Sequence, residues 1–199
     1  MASYLTIDKP SEAYFTEQRS RFLSFAHPVG TAAEAKAIVK EYANTYHDAR
    51  HVCWAYMLGA DRKDYLSSDN GEPSGTAGKP ILGQINSFGL TDIVVIVVRY
   101  FGGIKLGTSG LIAAYREAAR LALSEAVIVE RHEQSHLSFT FPYPAMNDVM
   151  RLMKSSPVKI LEQTFDNTCR ITLMTPTDSI PSLTRRLADI SGVSIHDNE

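Results

Sequence analysis

The chain has 199 residues, 44% hydrophobic and 21% charged, a composition that excludes disordered, collagen-like and disulfide-rich classes. Twenty Lys and Arg against 22 Asp and Glu leave a formal net charge of -2, which is not the footprint of a strong nucleic-acid binder, although a local basic patch is compatible with it. The longest aliphatic run, Ile93 to Val98, is far short of the roughly 20 apolar residues of a membrane span, and Met1 to Pro10 does not have the pattern of a secretory signal. The two cysteines, Cys53 and Cys169, form neither a CxxC motif nor a disulfide framework, so the expectation is a cytoplasmic protein with two buried thiols.

In chain order, Tyr4 to Ile7 and Ala13 to Ala26 are strand-like, the second as a hairpin or a long bent strand around the polar stretch Glu17 to Ser20. Thr31 caps a helix that runs to His47, with Glu34 in a capping-box position. Val52 to Leu58 is rich in strand formers. Residues 69 to 80 hold three glycines and two prolines and are expected to be loop. Ile81 to Ser87 is a short helix, Asp92 to Phe101 a strand buried on both faces, Leu111 to Ala126 an Ala-rich helix, and Val127 to Val129 the start of a further strand.

The last third has a cleaner pattern. Ser135 to Phe141 alternates like a half-buried strand, and Pro142 and Pro144 end it. Met146, Val149, Met150 and Met153 mark a helix over Ala145 to Ser155. Val158 to Phe165 and Thr168 to Thr175 form a hairpin about Asp166-Asn167. Asp178 or Ser179 caps a helix to Ile190, Gly192 lies just past its end, and Val193 to His196 is the last strand. The order βαββαβ is ferredoxin-like, and it places a domain boundary near residue 132, with domains of residues 1–132 and 133–199.

Two segments carry the chemistry. Ser68 to Pro80 (SDNGEPSGTAGKP) combines glycines, which allow close backbone approach, with Asp69, Glu72, Ser74, Thr76 and Lys79. It is not a P-loop, because Pro80 replaces the Mg²⁺-binding hydroxyl and Pro73 the first glycine. Arg99 to Gly110 (RYFGGIKLGTSG) joins a buried strand to a helix. Gly102, Gly103, Lys105, Thr108 and Ser109 then lie beside a positive helix end, a candidate anion site that includes Arg99. Its spacing is not the dinucleotide fingerprint, and the glycines equally serve a tight strand-to-helix turn.

The wording SDNGEPSGTAGKP followed by RYFGGIKLG closely resembles the signature of the IMPACT family, in particular its YigZ-type bacterial branch. Ser20-Arg21-Phe22, Asp48-Ala49-Arg50-His51 and Cys53 with Ala55 match it as well. The resemblance implies an α+β protein. Its first domain would have the fold of the second domain of ribosomal protein S five, followed by the ferredoxin-like domain. The pair resembles domains four and five of elongation factor G, which implies contact with RNA, the ribosome or a translation-related protein by analogy. Eukaryotic members act in translational control. Two positions depart from the family pattern: Asn70 stands for a second Asp, and Ser109 for a Gly, where a required positive φ would strain serine.

Other groupings are weaker. His47 and His51 have the spacing of a helical zinc pair but lack a third ligand, and His132 and His136 straddle the domain junction as a solvated linker. No metal or cofactor is therefore expected. Trp54, Tyr56, Tyr100 and Phe101 are candidates for base stacking, or else core. No GxSxG nucleophile motif is present. Two functions are open. One is a non-catalytic module that binds RNA, the ribosome or a translation factor through the two Gly-rich segments and Arg50, Lys79, Arg99 and Lys105, with no DNA sequence specificity. The other is an enzyme on a small phosphorylated or acidic substrate, with Glu72 or Asp69 as acid/base and Lys79 and Lys105 holding an oxyanion.

Overall fold

A computed structural model describes residues 3–196 and divides into two compact units, Tyr4–Arg131 and a second from His132 onward. The class is α+β, as the sequence predicts. No helix among the described residues is long and apolar enough to cross a membrane.

The first unit begins with β1 (Ser3–Ile7), then the hairpin β2 (Ser11–Glu17) and β3 (Ser20–Pro28). Gln18 and Arg19 turn the hairpin with φ of 43° and 69°, so the long strand-like stretch is two strands. Helix α1 (Ala32–Thr45) starts at Thr31, whose hydroxyl accepts the Glu34 N–H at 3.2 Å; the Glu34 carboxylate reaches back to the Gly30 N–H at 2.7 Å. There follow β4 (His51–Leu58), β5 (Asp64–Ser68), α2 (Gly78–Ser87), β6 (Ile93–Tyr100), α3 (Gly107–Ser124) and β7 (Ile128–His132). Strand β7 pairs with β1 in a separate two-stranded sheet.

Five strands form an antiparallel sheet in the order β2-β3-β6-β4-β5. Its centre is β6, whose unbroken apolar run is explained by burial on both faces. Ile93, Val95 and Val97 pack under α2 and α3, while Val94, Ile96 and Val98 pack under α1. The same alternation puts Arg99 of β6, His51 and Cys53 of β4, and Ser20 and Phe22 of β3 on the α3 side.

Both glycine-rich helices begin earlier than the sequence suggests. Lys79 and Pro80 lie in the first turn of α2, where proline forfeits no helical hydrogen bond. Gly107 to Gly110 lie in the first turn of α3, so the connection from β6 is residues 101–106. The short edge strand β5 has no clear sequence signal and is missed.

The second unit contains β8 (Gln134–Phe141), α4 (Met146–Lys154), β9 (Lys159–Phe165), β10 (Cys169–Pro176), α5 (Ile180–Ala188) and β11 (Ser194–His196), with a 3₁₀ turn before each helix. Ser179 precedes α5 without a side-chain capping bond. The sheet order β11-β8-β10-β9 is that of the ferredoxin-like fold. Phe139, Phe141, Ile171 and Leu173 bury one sheet face against Val149, Leu152, Leu183 and Leu187, while Thr140, Arg170 and Thr172 occupy the opposite face. His132 ends β7 and His136 lies within β8; both are exposed, as a solvated junction requires, but the junction itself is only Glu133, which lies between the two strands.

Because Phe139 is fully buried in this core, Phe139→Ala is expected to destabilise the protein by about 3–5 kcal/mol, whereas Thr164→Ala, exposed on β9, should change stability by no more than about 0.5 kcal/mol. Urea denaturation of the two variants measures both.

Candidate functional site

Three strands and a helix meet where β6 ends. His51 on β4 is the direct cross-strand neighbour of Arg99 on β6, and Phe22 on β3 flanks Arg99 on the other side. Tyr115 descends from α3 onto the same spot, its ring edge-on to Phe22 at 5.3 Å. Into this gap the segment after β5 inserts Glu72. One carboxylate oxygen, Oε1, accepts Arg99 Nη1 at 2.6 Å and the Tyr115 hydroxyl at 2.7 Å, and lies 3.8 Å from His51 Nε2. Glu72 and Arg99 are 8% and 5% exposed, so this is a buried ion pair joining the two glycine-rich segments.

The histidine tautomer follows from its other partner. His51 Nδ1 is 2.8 Å from the Asn70 carbonyl, which can only accept, so Nδ1 carries a proton and Nε2 faces Glu72. Asn70 has φ of 38°, a conformation asparagine tolerates well. The Cys53 thiol lies 3.0 Å from the Asp69 carbonyl and 3.4 Å from the Tyr115 hydroxyl, and burial pushes it up to about 12. The Tyr115 hydroxyl is likewise pushed far up by burial, then by Cys53 and Glu72, so it stays a neutral donor to the carboxylate.

Asp69 has a different task. Its carboxylate accepts the N–H groups of Gly75 at 2.8 Å, Ala77 at 3.1 Å and Gly78 at 2.8 Å, which folds the loop and caps α2. Burial alone pushes the Asp69 carboxyl up, but the bonds from Gly75, Gly78 and Ala77, together with Lys79, outweigh it and hold the group below its usual 3.8. Thr76 is also internal to the loop, its hydroxyl donating to the Pro73 carbonyl at 2.6 Å, and Ser74 is exposed.

A cleft of about 510 Å³ opens beside the ion pair, lined from one segment by Gly71, Glu72 and Pro73 and from the other by Arg99, Phe101, Lys105, Leu106, Gly107 and Thr108, with Arg50, His51 and Leu111 completing it. Helix α3 presents its first turn here without a side-chain cap or an acidic residue. Arg50, Lys105 and that helix end give the cleft positive character, because its one lining carboxylate is already paired with Arg99.

The expected site residues therefore separate. Glu72, Arg99, Lys105 and Thr108 come together in the cleft. Lys79 does not join them: it lines a separate depression with Gly75, Gly83, Ile112 and Arg116, since the α2 start carries it away. Asp69 is a loop organiser rather than an acid/base group. Gly102 is not a free anion-binding amide, because its N–H lies 3.3 Å from the Ser20 hydroxyl, and a Cβ there would sit 2.0 Å from the Arg19 carbonyl carbon. Gly103, with φ of 90°, makes the turn. Ser109 is exposed in the first turn of α3, not at a positive-φ position, so serine is unstrained. His47 follows the end of α1 while His51 is on a strand, so the two never share a helix. Of the candidate aromatics, Tyr56 is buried with Trp54 stacked on it, Tyr100 donates to Asp48 at 2.8 Å, and Phe101 is 44% exposed. His51 and Tyr115 enter as site residues that reasoning from the sequence did not assign to it. Tyr115 carried a signal, a polar-tipped ring on the buried face of an Ala-rich helix, which needs a hydrogen-bond partner.

Residues 18–123, which include every residue of this cluster, match the Impact N-terminal domain. The chain belongs to the IMPACT family. This family member is similar to the YigZ protein of Escherichia coli, with 33% identity over 98% of this chain and 97% of that relative, and to an IMPACT family member of Haemophilus influenzae, with 32% identity over 96% and 94%. It is of the YigZ type. The Bacillus subtilis relative YvyE is 38% identical over 65% of this chain and 59% of its own. The crystal structure of a hypothetical protein, 30% identical, superposes with a TM-score of 0.78 over 100% of this chain and 98% of that one.

For this IMPACT family member, Asp69→Ala removes the acceptor of three N–H groups and is expected to cost about 1–3 kcal/mol at neutral pH. Since the folded carboxyl lies below 3.8, its contribution is complete above that pH and fades as the pH falls through the folded value. Denaturation of wild type and variant between pH 7 and pH 2 should show their stability curves converging at the acid end.

Proposed function

We propose that the protein is a non-catalytic regulatory module linked to translation, and that its cleft binds RNA, free or within the ribosome. The observation that carries this reading is the positive cleft formed jointly by the two glycine-rich segments, where Arg50, Lys105 and the uncapped start of α3 converge around an internally neutralised ion pair. Phosphate oxygens are the acceptors that such a surface favours. Family membership, through the translational role of other members, directs the reading toward translation rather than toward DNA. A protein partner from the translation apparatus is the alternative occupant.

A second reading has one observation in its favour. His51 has a fixed tautomer and holds Nε2 at the cleft, as an acid–base enzyme on a phosphorylated substrate would require. Against it, Glu72 is bound by Arg99 and Tyr115, and Asp69 and Lys79 are engaged elsewhere. Turnover of a phosphate ester that His51→Gln abolishes would favour the enzyme.

For the RNA reading, Lys105→Ala and Arg50→Ala should each lower affinity for RNA by about tenfold or more, the loss of a charge-assisted contact of about 1.5–3 kcal/mol, with the thermal midpoint unchanged. Wild-type affinity should fall steeply as salt rises, and each variant should reduce that slope by about 1. Fluorescence anisotropy over a salt series tests this; affinity independent of salt, or unaffected by both substitutions, overturns it.

A further inference from the structure

Phe101 is the feature of the cleft that phosphate binding does not explain. It directly follows β6, its side chain lines the cleft, and it is 44% exposed although a large aromatic ring is costly to leave in water. Its neighbourhood fixes the ring: the Arg99 guanidinium carbon is 5.7 Å from the Phe101 centroid, and Arg99 is itself held by Glu72 at 2.6 Å. The ring is thus backed by an immobilised cation and open to the cleft. Lys105 and the first turn of α3, at Gly107 and Thr108, line the same cavity.

An aromatic face beside cations and backbone donors matches the two halves of a nucleotide, a flat base and a phosphate. The cavity of about 510 Å³ has the size of a small-ligand pocket, large enough for one nucleotide and too small for a helix of paired strands. We infer that the cleft holds one unpaired nucleotide of single-stranded RNA, its base stacked on Phe101 and its phosphate at Lys105 and the start of α3. This inference rests on the RNA-binding reading and narrows it. In a duplex the base faces are already stacked within the helix except at its two ends, so duplex RNA offers Phe101 little and keeps mainly the phosphate contacts.

The test compares a labelled single-stranded RNA of about 12 nucleotides, without self-pairing, with the duplex of the same sequence. Anisotropy is read for the full-length wild type, Phe101→Ala, Phe101→Leu, Phe101→Tyr and Lys105→Ala at one salt concentration. The wild type is expected to favour the single strand. Phe101→Ala and Phe101→Leu should each lose about tenfold or more on the single strand with little change on the duplex, and Phe101→Tyr should bind as wild type. Leucine keeps the apolar contact without a π face, so equal binding by Phe101→Leu and wild type overturns stacking. Loss on the single strand for Lys105→Ala but not for Phe101→Ala overturns the nucleotide subsite and leaves the RNA reading intact. Binding of neither RNA by the wild type overturns both.

Discussion

The geometry of the first unit's functional end hangs on one buried contact, the Glu72–Arg99 ion pair. Removing two charges from water is expensive, and their attraction offsets that cost only when the geometry is good and further hydrogen bonds complete the pair. Here Glu72 also receives the Tyr115 hydroxyl, and Arg99 Nη2 lies 3.4 Å from the Ser20 hydroxyl. The pair thereby ties four separate parts of the chain: the loop after β5, the end of β6, the start of β3 and the middle of α3. Among the described residues no group of three or more His, Cys, Asp or Glu is placed to bind a metal, and both cysteines are free and buried.

The charge of the cleft follows from the same pairing. A free Glu72 on the wall would repel phosphate, and a free Arg99 would be a strong site in itself. Paired, they cancel, and the outer cations Arg50 and Lys105 and the start of α3 set the sign. The two helix starts divide the work. That of α2 is consumed by Asp69, which fixes the loop bearing Glu72, while that of α3 stays open to the cleft. Gly102 belongs to this scaffold, since only a residue without Cβ lets the chain leave β6 against the Arg19 carbonyl.

Much of this was legible in the sequence because the signals are local. The apolar run of β6, the β2–β3 hairpin around Glu17 to Ser20, the Thr31 cap and the βαββαβ order all express backbone periodicity or turn chemistry that neighbouring residues decide. The helix starts at Gly78 and Gly107 were not legible, because Gly and Pro read as breakers, and what permits a helix there is in one case a carboxylate nine residues away, the Asp69 cap on Gly78. The division of the candidates was also hidden. Lys79 and Lys105 look equivalent beside their glycines, yet the direction of α2 sends Lys79 to another depression. Pairing of Glu72 with Arg99, 27 positions apart, depends on strand order, which composition and spacing do not specify.

The central claim is that Glu72 and Arg99 act as one unit that builds the cleft, and a double-mutant cycle tests it most directly. Equilibrium unfolding is measured for wild type, Glu72→Gln, Arg99→Met and the double variant. Each single substitution leaves a buried partner uncompensated and is expected to cost about 3–5 kcal/mol, while the double variant should lose less than the sum by about 1–3 kcal/mol. Costs that simply add, or single variants as stable as wild type, would contradict the account.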